Sequence, residues 1–464
     1  MGLPLEGIRV VEMGQLLAVP YLCKILADMG AEIFRFESCT RLDPHRTTVF
    51  YDNEADETFY NKAANFHDQN RNKLGFTLDL GTKGGQRMFR DLIRISDIFC
   101  ENFTPRVMAN FKMEYKDLRQ IRPDIIMLSS TGYGYDGPWG NYGAVGPTVE
   151  ASSGLMHVSG YPEGAPVLAE IPFTDFVGAE HGLFAVMAAL HYRAQTGKGQ
   201  FIDLSQQASQ VAIAPEPVLD YLANGREALS GGSTDHPYMA PYGVFPCRTE
   251  PQTTGKGEVD RWIAIAVGTD AQWQSLLRVM GDEQAAADPT FADAVSRRRH
   301  RKELNQRLAE WTGRQEAFDL MKRLQAEGVP AGVAITNRDM LFNPHLQERG
   351  FFRVIRHPEG SGLPSVLPYP GTPWVLHGAP PLPAQPGAYL GEHNRRVIVD
   401  ILGWPEGEMK SLEEEGAIGY APVSFPRPKP VGLDVMLRQA RIAGYDTDFK
   451  ERVAREFEGK AQSK

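Results

Sequence analysis

The chain has 464 residues, of which 42% are hydrophobic and 23% charged, and its formal net charge at pH 7 is −9. These values are typical of a globular protein with two domains, or with one large domain and an insertion. The negative charge disfavours nucleic acid or an anionic membrane surface as the main partner, and no apolar run is expected to reach the length of a membrane span. We therefore expect no nucleic-acid partner and no membrane partner.

The cysteines and the N-terminal residues bear on the cellular compartment. Cys23, Cys39, Cys100 and Cys247 are scattered without the Cys-x-x-Cys spacing of a zinc or redox site, which indicates reduced thiols. The eleven histidines are not clustered either, so we expect no metal. The first residues lack a basic segment followed by an apolar core, so no secretory signal is expected and the predicted location is cytoplasmic.

The chain opens with a strand–helix–strand unit. Residues 8–12 and 33–37 have strand-like apolar patterns, and residues 20–29 between them are helical in pattern, with Pro20 near the first turn. Such a unit is the usual start of a parallel sheet flanked by helices. The loop at 13–19 carries no Gly-x-Gly-x-x-Gly fingerprint. Two interpretations stay open: that the start of the helix binds phosphate or adenine, and that the unit packs without any ligand.

Strands and helices continue to alternate up to about residue 225, after an irregular polar stretch over 41–70 that is predicted to be a long loop. Further strands are predicted over 75–80, 98–101, 125–129 and 201–204, and helices over 83–95, 176–190 and 205–222. A Gly-rich segment at 132–140 follows one strand, at the end where α/β sheets bind ligands, although a plain turn is an equal alternative. We predict an α/β fold with a large parallel-sheet domain that begins with residues 1–225.

Two further regions differ in composition. Residues 226–335 are predicted to form a smaller α+β domain, with a strand over 262–267 and helices over 270–280, 302–312 and 315–325. Residues 336–464 begin with a Pro-rich, extended segment, which is predicted to return to the large domain or to wrap a partner subunit. The charged residues 433–464 have a helical pattern.

Asp175 stands at the start of a long apolar run. Thr174 or Asp175 can cap the helix that follows, whose dipole favours an ionised carboxylate there. The run is apolar on almost all sides, which predicts a fully buried helix, and Gly178 and Gly182 would let another backbone approach one face. Asp175 is therefore either a plain helix cap or a nucleophilic carboxylate that forms a covalent acyl intermediate.

Nine segments, in this order, resemble the family III coenzyme A transferases, which include formyl-CoA, carnitine and benzylsuccinate CoA-transferases and, more remotely, α-methylacyl-CoA racemase. The segments are residues 4–10, 26–32, 70–73, 77–80, 101–105, 132–138, 153–156, 196–200 and 391–394. The resemblance covers roughly residues 4–420. It implies a Rossmann-like large domain with a smaller α+β domain, and an interlocked dimer in which two chains are threaded through each other.

The resemblance also implies roles for individual residues. Asp175 matches the family's nucleophile, which would attack the thioester of an acyl-CoA to give a mixed anhydride and then an aspartyl-CoA thioester. Backbone N–H groups at the start of the following helix would stabilise the oxyanion. Coenzyme A enters as a substrate, and no permanently bound cofactor is expected. The residues that would fall on the coenzyme A pocket are Leu17, Ala18, Leu78, Asn102, Phe103 and Val107.

The chain departs from the family pattern at two basic positions. Thr104 and Asn110 stand where the family often has arginine. Arg106 and Lys112 lie nearby, so either can supply the positive charge for the CoA phosphates or be solvated surface.

A second departure concerns the substrate pocket. The Gly-rich lid of the oxalate-handling family members is replaced here by residues 236–240, which disfavours oxalate and favours a bulkier acid. Tyr133 matches a tyrosine close to the family's acyl site. With His236 and Tyr238 it suggests an apolar, aromatic-tolerant pocket, or else simple packing.

Three functions follow from the resemblance. The first is a CoA-transferase that moves coenzyme A from an acyl-CoA donor, with succinyl-CoA as a candidate, to a carboxylic acid through Asp175. The second is an acyl-CoA racemase or epimerase, although residues 144–147 lack the histidine that racemases carry upstream of the segment matched by Ser153 and Gly154. The third is a CoA-binding subunit of a heteromeric transferase. A homodimer and a heteromer with a related subunit are both open.

Overall fold

The computed structural model describes residues 2–160, 164–227, 236–251 and 258–462. Its largest layer is a six-stranded sheet in the order β3-β2-β1-β4-β5-β6, and every neighbouring pair is parallel. The strands are β1 (Arg9–Met13), β2 (Glu32–Glu37), β3 (Leu74–Thr77), β4 (Ile98–Glu101), β5 (Ile126–Thr131) and β6 (Phe201–Ser205). This is the order of doubly wound nucleotide-binding sheets, in which the chain reverses direction of winding between β1 and β4.

Helices cover both faces of this sheet. They are α1 (Ala18–Asp28), α2 (Ala64–Asn70), α3 (Lys83–Arg94), α4 (Pro105–Phe111), α5 (Tyr115–Ile121), α6 (Gly146–Ser152), α7 (Leu155–Val158), α8 (Phe173–Thr196), α9 (Gln206–Ile213) and α10 (Pro215–Asn224). Successive side chains of a strand point to opposite faces. Val10 therefore packs in the core under α1 and α8, whereas Val11 packs in the core under α3. Both valines are fully buried, which explains why the strands are continuously apolar in sequence.

A second unit has its own sheet and its own core. Its antiparallel sheet has the order β7-β8-β9, with β7 (Tyr242–Pro251), β8 (Glu258–Ala266) and β9 (Ala331–Val333). Its helices are α11 (Asp270–Met280), α12 (Glu283–Ala287), α13 (Ala294–Arg299), α14 (Arg301–Thr312) and α15 (Ala317–Ala326). Trp273, Phe291 and Leu320 lie in its core. The fold prediction of a parallel-sheet α/β unit with a smaller α+β unit is confirmed, and the exact domain bounds stay a prediction.

The rest of the chain returns to the first sheet. It contains α16 (Asn337–Leu341), α17 (Pro344–Glu348), β10 (Phe352–Arg356), β11 (Val366–Pro370), a π-helical turn (Arg396–Ile401), α18 (Glu406–Glu415), α19 (Leu433–Arg438) and α20 (Phe449–Phe457). The side chain of Asn394 accepts a hydrogen bond of 2.9 Å from the backbone N–H of Thr77 in β3. The backbone N–H of His393 donates to Gly75 at 3.0 Å. The returning segment therefore covers the β3 edge of the sheet.

Helix α8 differs from its prediction in two ways. It is not buried all round, because Phe184 is 78% exposed in the single chain. Its inner face is tightly packed, but by side chains rather than by another backbone: a Cβ atom built on Gly182 would lie 2.7 Å from Leu22 Cδ1. The helix also begins two or three residues earlier than a cap at Thr174 or Asp175 would place it, at Phe173, so Pro172 precedes it and Asp175 is its third residue rather than its cap.

The length of α8 corrects a further expectation. With 24 residues it is long and apolar enough to cross a membrane by length and composition. Length and composition are weak evidence here, because its inner face packs on the sheet and the helix carries Glu180, His181 and Arg193. We assign it as a core helix of the first unit.

Two other sequence predictions were wrong in detail. The helix expected over 205–222 is split into α9 and α10, because Pro215 has no backbone N–H and restricts Ala214 to non-helical angles. The loop expected over 41–70 contains α2 and three short 3-10 turns, Pro44–Thr47, Tyr51–Asn53 and Phe59–Asn61.

Candidate active site

Asp175 lies at the carboxyl edge of the parallel sheet. Gln206 directly follows the last residue of β6, and its side chain packs against α8 at Gly178, one turn after Asp175. Burial raises the pKa of Asp175 to about 6, and the Gln206 hydrogen bond acts in the opposite direction. With this pKa the group is still about nine-tenths ionised at pH 7. A poorly solvated carboxylate that is ionised at neutral pH suits a nucleophile.

The Gly-rich segment connects Asp175 with an aromatic cluster. A Cβ atom built on Gly146, where this loop enters α6, would lie 3.4 Å from Asp175 Oδ2. Within the same loop, Tyr133 packs edge-on against Trp139, with ring centroids 5.5 Å apart, and also against Tyr142. Trp139 and Tyr142 stack on each other and are exposed in the single chain. The structure thus places Gly146, thirteen residues after Tyr133, beside Asp175, and it adds two aromatic residues next to Tyr133 that the sequence did not indicate.

The first turn of α1 lies next to the first turn of α8. The ring of Tyr21 packs edge-on against Phe176 at 4.9 Å, and its hydroxyl donates to Glu180 at 3.2 Å. Leu17 and Ala18 begin α1 and are buried. Leu17 and Ala18, two of the predicted coenzyme A residues, therefore lie about one helical turn from Tyr21, which contacts the residue next to Asp175.

A cavity of about 180 Å³ opens at the carboxyl ends of β1 to β4. Its lining includes Leu78, Phe103 and Val107, three of the predicted coenzyme A residues, together with Gly14 and Gln15 of the loop before α1. Ligands of parallel α/β sheets bind at this edge, where the strand order reverses. The complete lining is Met13, Gly14, Gln15, Phe36, Glu37, Ser38, Thr40, Arg41, Leu78, Asp79, Leu80, Gly81, Phe103, Val107 and Phe111.

Asn102 holds one of the loops that line this cavity. Its Oδ1 accepts a hydrogen bond from the backbone N–H of Gln15 at 3.0 Å, and its Nδ2 donates to the backbone carbonyl of Gln15 at 2.8 Å. The structure thus gives Asn102 a different contact from the one predicted, because it holds the loop that lines the cavity and does not line the cavity itself. Phe103 is also held by a hydrogen bond, which its backbone N–H donates to the side chain of Glu101 at 2.7 Å.

The positive charge in the cavity comes from a residue that the sequence argument missed. Arg41 lines the cavity and is exposed, whereas Arg106 lies on α4 next to Val107 and is also exposed without lining it. The segment that carries Arg41 is fixed by buried ion pairs, of Arg35 with Asp43 at 2.7 Å and of Arg46 with Glu37 at 2.8 Å. Arg41 falls in the stretch predicted to be an irregular loop, so only its basic side chain after a strand could have indicated it.

His236 and Tyr238 lie on the second unit. The two rings pack edge-on at 4.5 Å, the His236 ring also contacts Tyr242, and the His236 carbonyl accepts a hydrogen bond from Arg298 at 3.0 Å. None of these contacts reaches Asp175 or the cavity at the sheet edge. The contacts described for these two predicted pocket residues do not bring them to Asp175 within one chain.

A larger cavity lies elsewhere. It has a volume of about 440 Å³ between α7 and the α9–α10 pair, and its walls include Leu155, Val211, Tyr221 and Leu222. None of the predicted site residues lines it. We place the site at the smaller cavity because it lies at the carboxyl edge of the sheet and combines apolar walls with a cation. In the described ranges, no three His, Cys, Asp or Glu side chains are grouped as metal ligands.

Comparison with known proteins identifies the class of this site. The family model described as CoA-transferase family III matches residues 5–394. The chain therefore belongs to CoA-transferase family III and is an enzyme of that class, as the ordered segments of the sequence predicted.

Individual relatives are similar over nearly their whole length. The succinate–glutarate CoA-transferase of Agrobacterium fabrum is 30% identical, over 86% of this chain and 96% of its own. The succinyl-CoA–D-citramalate CoA-transferase of Chloroflexus aurantiacus is 28% identical, over 89% of this chain and 98% of its own. A crystal structure of a CAIB/BAIF family protein from Brucella suis has a TM-score of 0.74 and 29% identity, over 86% of this chain and all of that one.

Proposed function

We propose that the enzyme transfers coenzyme A from an acyl-CoA, with succinyl-CoA as the donor, to a carboxylic acid by way of Asp175. The observation that carries the proposal is a partly buried carboxyl group of pKa about 6 at the same sheet edge as the cavity of Leu78, Phe103 and Val107. The names of the Agrobacterium and Chloroflexus relatives support the choice of donor.

The carboxylate supplies the chemistry in four balanced steps. An oxygen of Asp175 attacks the thioester carbonyl and expels the CoA thiolate, which leaves a mixed anhydride. The thiolate then attacks the aspartyl carbonyl, which forms an aspartyl-CoA thioester and releases the donor acid. The acceptor carboxylate attacks this thioester to give a second anhydride and CoA thiolate. Attack of the thiolate on the acceptor's carbonyl forms the new acyl-CoA and restores the Asp175 carboxylate.

The cavity at the sheet edge suits one part of coenzyme A. Leu78, Phe103 and Val107 give it apolar walls, and Arg41 offers a cation for a phosphate group. Its volume of about 180 Å³ is enough for a single moiety and not for the whole molecule, so the remaining length would run along the loop before α1 toward Asp175. Tyr133, with Trp139 and Tyr142, would form the aromatic side of the acyl pocket.

A second chain would complete the pocket. Phe184 on α8 and Leu219 and Leu222 on α10 are apolar residues that a single chain leaves exposed. We propose that a second copy covers them, as in the interlocked dimer that the family resemblance implies, and that His236 and Tyr238 reach the acyl pocket only from that copy. We also propose a cytoplasmic location, which suits four free cysteines.

The decisive experiment traps the intermediate. Enzyme incubated with succinyl-CoA in the absence of an acceptor should form an adduct that hydroxylamine converts to a hydroxamate on Asp175, found by mass spectrometry within the peptide 169–193. Asp175→Asn should give no hydroxamate and lose at least about a thousandfold in kcat. Glu180→Gln is the matched control, because Glu180 is a carboxylate on the same helix that bonds to Tyr21 rather than to the site.

The same experiment separates the alternatives. A racemase moves only a proton and keeps the thioester, so it would give no hydroxamate, and a non-catalytic CoA-binding subunit would give none either. Absence of the adduct while acyl exchange is measurable would overturn the anhydride mechanism. If the purified chain alone shows no exchange but gains it with a related subunit, the enzyme is a heteromer.

A further inference from the structure

Helix α9 presents two glutamine side chains to the first turn of α8. Gln206 and Gln210 are four residues apart and so lie on one face of α9. Both are almost fully buried, at 7% and 1% exposure. The Gln206 side chain packs on α8 beside Gly178, one turn after Asp175, and a hydrogen bond from it lowers the pKa of the Asp175 carboxyl group. Gln210 Nε2 donates to the backbone carbonyl of Thr174 at 3.4 Å. Burial of an amide is unfavourable unless it is hydrogen-bonded, so the Nε2 contact orients the Gln210 side chain, whose Oε1 is buried without a partner among the described residues.

Gly178 makes room for the Gln206 side chain. It lies three residues after Asp175 on the same face of α8. A Cβ atom built on Gly178 would lie 3.1 Å from Cγ and 3.8 Å from Cβ of Gln206. A glycine lowers the helix propensity at this position. The absence of a side chain leaves a slot on α8, through which the Cβ and Cγ atoms of Gln206 pass toward Asp175.

Gln206 is held on rigid structure. It is the first residue of α9 and directly follows β6, which is paired in register with β5 from Met127 to Thr131. The hydroxyl of Ser205 caps the helix by accepting a hydrogen bond from the backbone N–H of Ala208 at 3.2 Å. The position of the amide is therefore fixed by the sheet and by a helix start rather than by a loop, as a positioning group requires.

We propose that Gln206, seated in the slot at Gly178, is a positioning residue for the nucleophile Asp175. Its amide N–H holds one carboxylate oxygen so that the other faces the thioester. When Asp175 is acylated, the same donor lies at the oxygen of the aspartyl carbonyl, where negative charge develops as thiolate or acceptor acid attacks. The inference rests on the proposed function of Asp175.

The pKa of Asp175 supplies a readout that a purely structural role would not change. Burial raises this pKa and the Gln206 hydrogen bond lowers it. Loss of the donor should therefore raise it further, by about one unit for one charge-assisted hydrogen bond. Because the nucleophile must be ionised, the acidic limb of the kcat/KM profile should move to higher pH by the same amount.

The test uses Gln206→Met, which keeps the length and approximate volume of the side chain and removes the donor. We expect the acidic limb to move up by about one pH unit. At pH 7, kcat should fall at least about tenfold and hydroxamate formation from succinyl-CoA should slow similarly, with the KM for succinyl-CoA within about threefold. The matched control is Gln207→Met on the same helix, whose amide donates to the Ser152 carbonyl at 2.8 Å rather than to Asp175. Its acidic limb should stay at the wild-type pH.

Gly178→Ala tests the slot without removing the donor. Alanine favours the helix, so the variant should fold, yet its methyl group displaces Gln206 and should move the acidic limb in the same direction by less than Gln206→Met does. In the Gln206→Met background, where no donor is left to displace, Gly178→Ala should add no further shift.

The outcomes separate the two claims. If Gln206→Met or Gly178→Ala folds, forms the adduct at the wild-type rate and keeps the wild-type acidic limb, the positioning role is wrong while Asp175 remains the nucleophile. If wild-type enzyme with measurable exchange forms no adduct on Asp175, the proposed function fails and the positioning role fails with it.

Discussion

The Asp175 carboxyl group, which we propose as the nucleophile, carries a cost to folding. Its pKa is raised from 3.8 to about 6 by burial, so the folded state binds a proton more tightly than the unfolded state does. The stability that this group contributes is therefore present below pH 4 and is lost as the pH rises through 6. At pH 7 and above, the folded enzyme has to keep a poorly solvated charge.

Asp175→Asn should accordingly inactivate and stabilise the enzyme at once. Asparagine is nearly isosteric and uncharged, so the free energy of unfolding should rise at pH 7.5 by up to about 3 kcal/mol, and the difference should shrink toward zero near pH 4. Urea unfolding of both proteins across this pH range measures the effect. Glu180→Gln should change stability little at either pH, and an Asp175→Asn variant less stable than wild type at pH 7.5 would contradict the assignment.

The site residues that the sequence predicted are those set in local, ordered segments. Asp175 stands out because a proline and an apolar run flank it. Gln206 could not be found in this way, since it lies thirty-one residues further on and meets Asp175 only because α8 runs back along the sheet to β6. Arg41 was missed for a related reason, as it belongs to an irregular segment that is fixed by ion pairs formed across the chain.

At the scale of elements, two loops are joined at the cavity. The side chain of Asn102, just after β4, makes two hydrogen bonds with the backbone of Gln15, in the loop between β1 and α1. These strands are neighbours in the sheet, so the pair fixes the gap where the strand order reverses.

Asn102→Ala should therefore weaken binding of the acyl-CoA donor more than it slows the chemistry. Two hydrogen bonds to the Gln15 backbone are lost, and the loop that carries Gly14 and Gln15 into the cavity becomes mobile. We expect KM for succinyl-CoA to rise about tenfold, with kcat within about threefold of wild type. Asn110→Ala, on the exposed side of α4, is the control in steady-state kinetics. A change in kcat alone would show that Asn102 acts on the reacting groups instead.

Elements with a clear period were predicted closely, and those that depend on long-range packing were not. The strand Ile98–Glu101 and the helix Asp270–Met280 match their predictions because their apolar runs are bounded by capping and turn residues. Strand β7 was missed because Pro246 and Pro251 argue against a strand, although its buried residues Phe245 and Cys247 alternate. The burial of α8 was overestimated. An apolar helix face is covered either by the sheet of its own chain or by another chain, and the sequence does not distinguish these two cases.

At the scale of the molecule, the return of the chain is held by a buried histidine pair. His67 lies on α2, and His357 directly follows β10; their ring centroids are 5.1 Å apart. His67 Nε2 is 2.8 Å from the carbonyl of Asn61, and His357 Nε2 is 3.0 Å from the hydroxyl of Tyr369. Burial lowers the pKa of each histidine to about 4, so both are neutral in the folded protein at neutral pH.

This pair should make the enzyme acid-sensitive. In the unfolded chain the histidines take up protons near pH 6.5, whereas in the folded protein they do so only near pH 4. The stability that they contribute is complete above pH 6.5 and is lost as the pH falls from 6.5 to 4, by on the order of 3 kcal/mol for each. Urea unfolding of wild type between pH 4 and pH 8 should show this loss.

Two substitutions test whether the histidine pair causes this loss of stability at low pH. His357→Gln removes one of the titrating groups, so the variant should be less stable at pH 8 but lose less stability than wild type on acidification. His345→Gln, at an exposed position of α17, should leave the pH dependence unchanged. Equal pH slopes for His357→Gln and wild type would show that the buried pair is not the cause.

The C-terminal residues also tie distant parts of the chain together, beyond the range that the family model matches. Phe457 of α20 is 1% exposed and packs edge-on against Phe352 of β10 at 5.9 Å, while Phe449 at the other end of α20 contacts Tyr51. The guanidinium of Arg452 lies 3.8 Å from the ring centroid of Phe342. Helix α20 thus spans from the irregular segment before α2 to the returning hairpin.

Phe457→Ala should release this helix. Truncation of a buried phenylalanine removes about 3–5 kcal/mol of packing, which exceeds what the remaining, largely exposed contacts of a nine-residue helix can supply. We expect limited trypsin digestion to cut within residues 450–455 at least about tenfold faster than in wild type, followed by mass spectrometry. Phe449→Ala removes a ring that is already 37% exposed and should accelerate cleavage much less. Equal protection of Phe457→Ala and wild type would mean that α20 is held by its polar contacts, such as Lys450 with Asp52, and not by the buried ring.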